Sequence, residues 1–204
     1  DISDETAIVL HQGSMQRDRG CEQLVRAIGK VSDAALVFLG SGPLRDELEK
    51  LAHRLNVSDR VYFLPPVPPD ELLPVTASAD IGVSLLQDTC LNHRLALPNK
   101  LFEYLIAGLP VVASDLPEIG KVVRDHDVGK LVPPDDIPAL SRQLQELVDR
   151  PDLRRKMTQN VPQVFDTYGW NSGARRFTNV YTRILAARHP KRPRSGPGRS
   201  ANAE

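Results

Sequence analysis

A doubly wound α/β domain is the fold class this sequence predicts, and three observations predict it. Short apolar runs alternate with amphipathic stretches from the first residues to about residue 150. The runs are apolar throughout rather than alternating apolar with polar, as strands buried on both faces of a parallel sheet are. Glycine and proline fall where helices should start or stop.

Taken in order, Ala-Ile-Val-Leu at 7–10 reads as a strand, 20–31 as a helix, 34–39 as a second strand and 44–55 as a second helix. Gly40-Ser-Gly-Pro43 closes that second strand and opens its helix. The pattern repeats with a strand at 61–64, a short helix at 69–78, a strand at 81–85, a helix at 98–107 stopped by Gly108, and a strand at 110–114. Each strand is followed by a helix, which gives a parallel sheet with helices on both faces. After 129–132 the register changes, and 137–149, 151 to about 168 and 170 to about 188 read as three consecutive helices. Leu140, Leu144, Leu147 and Val148 share one face of the first. Residues 1–187 are assigned to one Rossmann-like domain. Residues 188–204 are basic with almost nothing to bury, and are assigned as a disordered tail.

Composition excludes several classes. At 41% hydrophobic and 25% charged residues, the chain is neither wholly disordered nor membrane-spanning. No apolar run approaches the roughly 20 residues that cross a bilayer, and Asp-Ile-Ser-Asp-Glu-Thr is no signal peptide, so a cytoplasmic location is expected. The basic tail is either simply solvated or a peripheral contact with the inner membrane face. A net charge of zero disfavours a nucleic-acid partner. Cys21 and Cys90 form no disulfide framework or zinc spacing, and both read as packing residues.

Two stretches carry chemistry. The first, 11–20, joins the first strand to the first helix, where a parallel sheet places its ligand. Gly13 permits close backbone approach, and Arg17 and Arg19 precede a helix start whose amides favour anions. The competing reading is a pair of solvated arginines. The second stretch is Leu97-Pro-Asn-Lys-Leu-Phe-Glu-Tyr104. Pro98 fits a first helical turn, leaving the amides of Asn99, Lys100 and Leu101 free to meet an anion. Lys100 adds charge, and Glu103 either accepts hydrogen bonds from ribose hydroxyls or pairs with Lys100 at the (i, i+3) spacing. Leu101, Phe102 and Leu105 are expected to fix this helix to the sheet. Both stretches leave the same sheet edge, so they are expected to converge on one ligand.

With these blocks in place, the chain resembles the C-terminal, donor-binding domain of family 4 retaining glycosyltransferases of GT-B fold. The blocks are Gly13…Arg19-Gly20, 37–43, 60–64, 79–83, 98–115 and 129–133, and the resemblance runs from about residue 7 to residue 185. It implies a nucleoside diphosphate sugar as substrate, with Arg19 and Lys100 holding the diphosphate. Gly13, Ser14, Arg17, Gly20, Pro98, Asn99 and Leu101 would lie around the donor. Glu103 matches the ribose-binding glutamate, and 64–67, with Leu64 and Val67 at its ends, matches the stretch against the base. Ser14 stands where many members have arginine, and Leu95 where many have a second glutamate; Asn92 and His93 are the candidates to take over the sugar contacts.

The mechanism this implies is loss of a diphosphate leaving group, its growing charge stabilised by Arg19, Lys100 and the helix ends, with retention of configuration. No metal is then required. Asp125-His-Asp127 matches the acidic pair of metal-dependent transferases but reads as a solvated polar turn. GT-B enzymes place acceptor residues on an N-terminal domain, which is the expected partner, with a lipid-linked or saccharide acceptor. The final helices, carrying Trp170 and Tyr181, match the part that crosses back to it. A sugar-nucleotide epimerase half and a non-catalytic nucleotide-sugar-binding or regulatory domain are the alternatives.

Overall fold

The computed structural model describes residues 2–188. The tail assigned from residue 188 onward lies, Arg188 apart, outside the described residues. The chain divides into two compact units, one ending at Val164 and one beginning at Phe165.

The first unit is built on a six-stranded sheet of order β3-β2-β1-β4-β5-β6 with every neighbouring pair parallel. The strands are β1 (Ala7–Gln12), β2 (Ala34–Leu39), β3 (Val61–Leu64), β4 (Ile81–Ser84), β5 (Val111–Ser114) and β6 (Gly129–Val132). All six residues of β2 are buried, which is why its run carries no polar alternation. The chain winds outward from β1 to β3, then returns to the other side of β1 as β4. That reversal is the topological switch point at which open parallel sheets leave a crevice.

The helices are α1 (Cys21–Ile28), α2 (Arg45–Arg54), α3 (Pro69–Thr76), α4 (Leu91–Arg94), α5 (Asn99–Ile106), α6 (Pro117–His126), α7 (Ile137–Asp149), α8 (Pro151–Gln159), α9 (Val161–Tyr168) and α10 (Trp170–Arg188). Leu24 and Ile28 of α1, Leu48 of α2 and Leu140 and Leu144 of α7 share one core with Val9, Leu36 and Val83. Because successive strand residues face opposite ways, Gly82 faces the other side, and there the Tyr104 ring of α5 lies against it. A Cβ at position 82 would fall 2.3 Å from that ring, so only glycine lets α5 approach this closely. Tyr104, rather than Phe102, completes the buried set of α5 with Leu101 and Leu105.

The main differences from the sequence reading have local causes. β1 runs on to Gln12, because its register with β2 continues through His11–Phe38 and Gln12–Leu39. The helix α6 was not foreseen. Pro117 opens it, Ile119, Val122 and Val123 are buried, and its last turn, Arg124-Asp-His126, is wholly polar. Asp125 and His126 therefore belong to a helix rather than a turn, and Asp127 caps it with φ 49°. A turn of helix, α4, occupies the expected 90–97 loop. The helix expected from 151 to 168 is broken at Asn160 into α8 and α9, so four helices rather than three follow β6 among the described residues. Cys21 is buried as expected, but Cys90 is exposed and packs nothing.

In the second unit, α10 leaves Trp170, Phe177, Val180, Tyr181, Ile184 and Leu185 all exposed. Their spacing of three, four and seven places them on one helical face. No helix among the described residues is long and apolar enough to cross a membrane.

Candidate functional site

The site forms at the carboxyl end of β1, whose last two residues turn to opposite faces of the sheet. His11 goes toward α1: its Nε2 lies 3.7 Å from Cys21 Sγ, and its ring packs on Phe38 at 5.3 Å between centroids. Gln12 goes toward α3 and α5. Its amide nitrogen donates to a Glu103 carboxylate oxygen (2.5 Å), its carbonyl oxygen accepts from the Thr76 hydroxyl (2.8 Å), and its backbone N–H donates to the Tyr104 hydroxyl (2.8 Å).

Beyond Gln12 the backbone continues the sheet without being counted in it. Gly13 N donates to Leu39 O, Met15 N to Ser41 O, and Leu44 N to Met15 O. Gly13 adopts φ 103°, a conformation open to glycine, and turns the chain so that Ser14 and Arg17 are exposed. The loop then folds back onto β4. Gln87 N donates to Asp18 O, and Gly20, with φ 72°, sits where a Cβ would be 2.3 Å from Leu85 Cβ. The Arg-Gly pair is thus locked to the far side of the switch point, which carries partly buried Arg19 to the cation at the start of α5.

Pro98 is extended (φ −73°, ψ 142°) and caps α5 from outside rather than occupying its first turn. Leu101 N donates back to Pro98 O (3.1 Å), so its amide is committed, and its side chain is fully buried. The amides of Asn99 and Lys100 are the ones that open this helix end. Lys100 forms no ion pair with Glu103; among the described residues neither Arg19 nor Lys100 is ion-paired. Glu103 is bound to Gln12 instead.

Electrostatics tie these groups together. Burial brings the Lys100 ammonium down to about 8, and the Arg19 charge acts in the same direction, against the opposing pull of Cys21 and Glu103. Burial pushes the Cys21 thiol up to about 11. Burial, then Lys100, hold His11 well below the ordinary histidine range, so it is neutral at pH 7. The neutral imidazole and thiol near Lys100 cancel none of its charge, and of the nearby groups only Glu103, held by Gln12, opposes the two cations.

Beside Lys100 opens a cleft of about 250 Å³, lined by Gln12, Gly13, Leu39, Gly40, Pro66, Val67, Leu72, Lys100 and Glu103. One end is polar and cationic, the other apolar. Leu64 is exposed, and its carbonyl is taken by Gly40 N (3.0 Å), which anchors the 64–67 segment as a wall. Asn92 and His93 lie on α4, outside this lining, with His93 Nδ1 2.9 Å from the Thr89 hydroxyl. Leu95 is exposed. Among the described residues no group of three or more metal-ligating side chains forms. Asp127 lies 3.5 Å from Lys156, as a paired surface carboxylate would. A larger opening of about 470 Å³ lies at the other end of the strands, near Asp80, Pro110 and Arg154. There Arg154 is already satisfied by Asp80 and by the carbonyls of Leu147 and Val148.

The sequence alone pointed to Arg19, Lys100, Glu103, Gly13 and Val67; the fold puts the last four in one cleft lining, and the Arg19 charge acts on Lys100 from outside that lining. It did not point to Gln12, Thr76 or His11. A polar Gln at the end of an apolar strand run was the available signal for the first.

Comparison with known proteins follows the same outline. The description "Glycosyl transferases group 1" matches residues 1–164. A D-inositol 3-phosphate glycosyltransferase of Streptomyces avermitilis is 33% identical over 210 residues, covering 97% of this chain and 44% of the relative. A sucrose-phosphate synthase from Thermosynechococcus elongatus superposes with a TM-score of 0.77 at 26% identity, over 90% of this chain and 46% of that one. The Anabaena protein HepE, solved in complex with UDP, superposes with a TM-score of 0.78 at 16% identity, over 88% of this chain and 49% of that one, a likeness of fold. The chain spans just under half the length of these relatives. With the sheet, the switch-point cations and the matched region in agreement, this chain belongs to the group 1 glycosyl transferases.

Proposed function

We propose that the chain is the donor-binding half of a GT-B glycosyltransferase and that the cleft beside Lys100 holds a nucleoside diphosphate sugar. The observation that carries this reading is an unpaired, partly buried cation, Lys100, in the lining of a largely apolar cleft, with a second cation, Arg19, near enough for its charge to act on the first. A diphosphate supplies the counter-charge they lack, with the amides of Asn99 and Lys100 as further donors. Glu103 accepts hydrogen bonds from the ribose, and the base lies along Pro66, Val67 and Leu72.

When the bond between the anomeric carbon and the phosphate oxygen breaks, negative charge grows on the departing diphosphate. Fixed cations and amides stabilise that charge more in the transition state than in the ground state. In this reading the chain itself supplies that stabilisation, without a metal. Retention of configuration is inferred from the likeness to family 4 enzymes. The acceptor, saccharide or lipid-linked, is bound by an N-terminal domain. The share of its relatives that this chain spans supports that partner, as does the uncovered apolar face of α10.

Calorimetric titration with UDP, GDP and ADP tests the donor site. At least one binds, and Arg19→Ala, Lys100→Ala and Glu103→Ala each weaken it about tenfold or more, as expected for loss of a charge-assisted contact. Unchanged affinity in both Lys100→Ala and Glu103→Ala would remove the assignment. Sugar transfer is then assayed after the N-terminal half is supplied.

A further inference from the structure

Glu103 is held by a chain of hydrogen bonds that starts on a different helix. The Thr76 hydroxyl of α3 lies 2.8 Å from Gln12 Oε1, and Gln12 Nε2 lies 2.5 Å from Glu103 Oε2. Thr76 is fully buried and Gln12 is 2% exposed, so neither is a solvated surface contact. The direction of the chain follows from its end. An ionised carboxylate only accepts, so the Gln12 amide must turn its NH2 to Glu103 and its oxygen to Thr76. The Thr76 hydroxyl has one proton, within reach of both Gln12 Oε1 (2.8 Å) and the Leu72 carbonyl (2.7 Å), so the hydroxyl ties Gln12 to the backbone of α3. The Gln12 main chain is itself pinned to α5 through Tyr104.

One end of this chain, Glu103, stands at the cleft, and the other, Thr76, lies one helical turn behind the lining residue Leu72. Leu72 is in the opposite wall, with Val67 just ahead of α3. Gln12 lies between them. We infer that Gln12 and Thr76 are positioning residues: they orient the Glu103 carboxylate toward the ribose and set the separation of the two cleft walls. This deepens the proposed donor-site reading and rests on it.

The test uses two probes of the intact chain, UDP, which has a ribose, and inorganic pyrophosphate, which has none. Thr76→Val keeps the side-chain shape and removes the hydroxyl; Gln12→Met keeps the length and removes the amide. Each variant is expected to bind UDP about tenfold more weakly and pyrophosphate within twofold of wild type, with Thr76→Ser restoring UDP binding. Wild-type UDP affinity in both Thr76→Val and Gln12→Met would overturn the inference while leaving the donor site standing. So would an equal loss for pyrophosphate, which would mark general damage to the fold. Absence of binding by the wild-type chain to either probe would overturn the donor-site reading, and this inference with it.

Discussion

Arg19 and Lys100 leave the sheet on either side of its reversal point, and the Arg19 charge makes the Lys100 ammonium harder to hold. Like charges brought together out of water cost stability, and a fold that keeps them there with no ion-paired carboxylate, Glu103 being held by Gln12, is arranged around an anion. Their separation in sequence hides the relationship; the αL turn at Gly20 and the start of α5 create it.

Lys100 titrates near 8 in the free chain, so binding of a nucleoside diphosphate should depend on pH in a stated direction. Below 8 the ammonium is present and affinity is full. As pH rises through 8 the free site loses its proton, and binding must take one up. UDP affinity is therefore expected to fall steadily from pH 7 to pH 9.5, with a Lys100→Met variant weak and flat over the same range. A flat wild-type profile would contradict the role given to Lys100.

The same shift has a consequence for folding. In the unfolded chain Lys100 keeps the ordinary lysine affinity for protons, whereas the fold lowers it to about 8. Between those values the unfolded state binds more protons, so stability rises with pH; below 8 the full cost of the charged form remains. Lys100→Met is expected to raise the melting temperature of the ligand-free chain by a few degrees at pH 7. The gain should vanish above the ordinary lysine range. Thermal scans at pH 7 and 11 measure it.

Gly20→Ala should be severe for its size. The added methyl meets the backbone and Cβ of Leu85, and the residue must keep φ 72°. A destabilisation of about 2–4 kcal/mol is expected from strain and overpacking together. Urea unfolding would show it, and pyrophosphate affinity should fall with it because Arg19 moves. Gly173→Ala, with open space around it, is the control and should cost nothing measurable.

Phe177→Glu combined with Tyr181→Glu changes two exposed rings of α10 that touch each other, their centroids 4.5 Å apart. Their exposure predicts a stability change within about 0.5 kcal/mol for each. If α10 serves the N-terminal domain, the double variant keeps UDP binding and loses transfer when that domain is supplied. Retained transfer would exclude this face from the interface.

What could be read from the chain follows the range of the interactions. Buried strands announce themselves because two covered faces demand an unbroken apolar run, as in β2, and Gly20 and Gly108 mark where helices begin or stop. The helix α6 escaped notice because its polar end, Arg124-Asp-His126, resembles a turn, while its packing residues Ile119, Val122 and Val123 are few. At the site, cations and helix starts were legible from residue type and spacing. The partner of Glu103 was not: local spacing favoured Lys100, three residues away, whereas Gln12 reaches it from another strand. Thr76 was invisible for the same reason, since its meaning depends on which helix the sheet places beside β1.

The fit of Gly82 to the Tyr104 ring couples two positions that inheritance must treat as one. Drift at 82 toward any larger residue is barred while the aromatic ring persists, and loss of the phenol would leave the Gln12 amide hydrogen searching for an acceptor inside the protein. Among diverging descendants, a side chain at the former should therefore appear only alongside a smaller residue at the latter, and lineages that made that exchange would be expected to have rebuilt their ribose pocket as well.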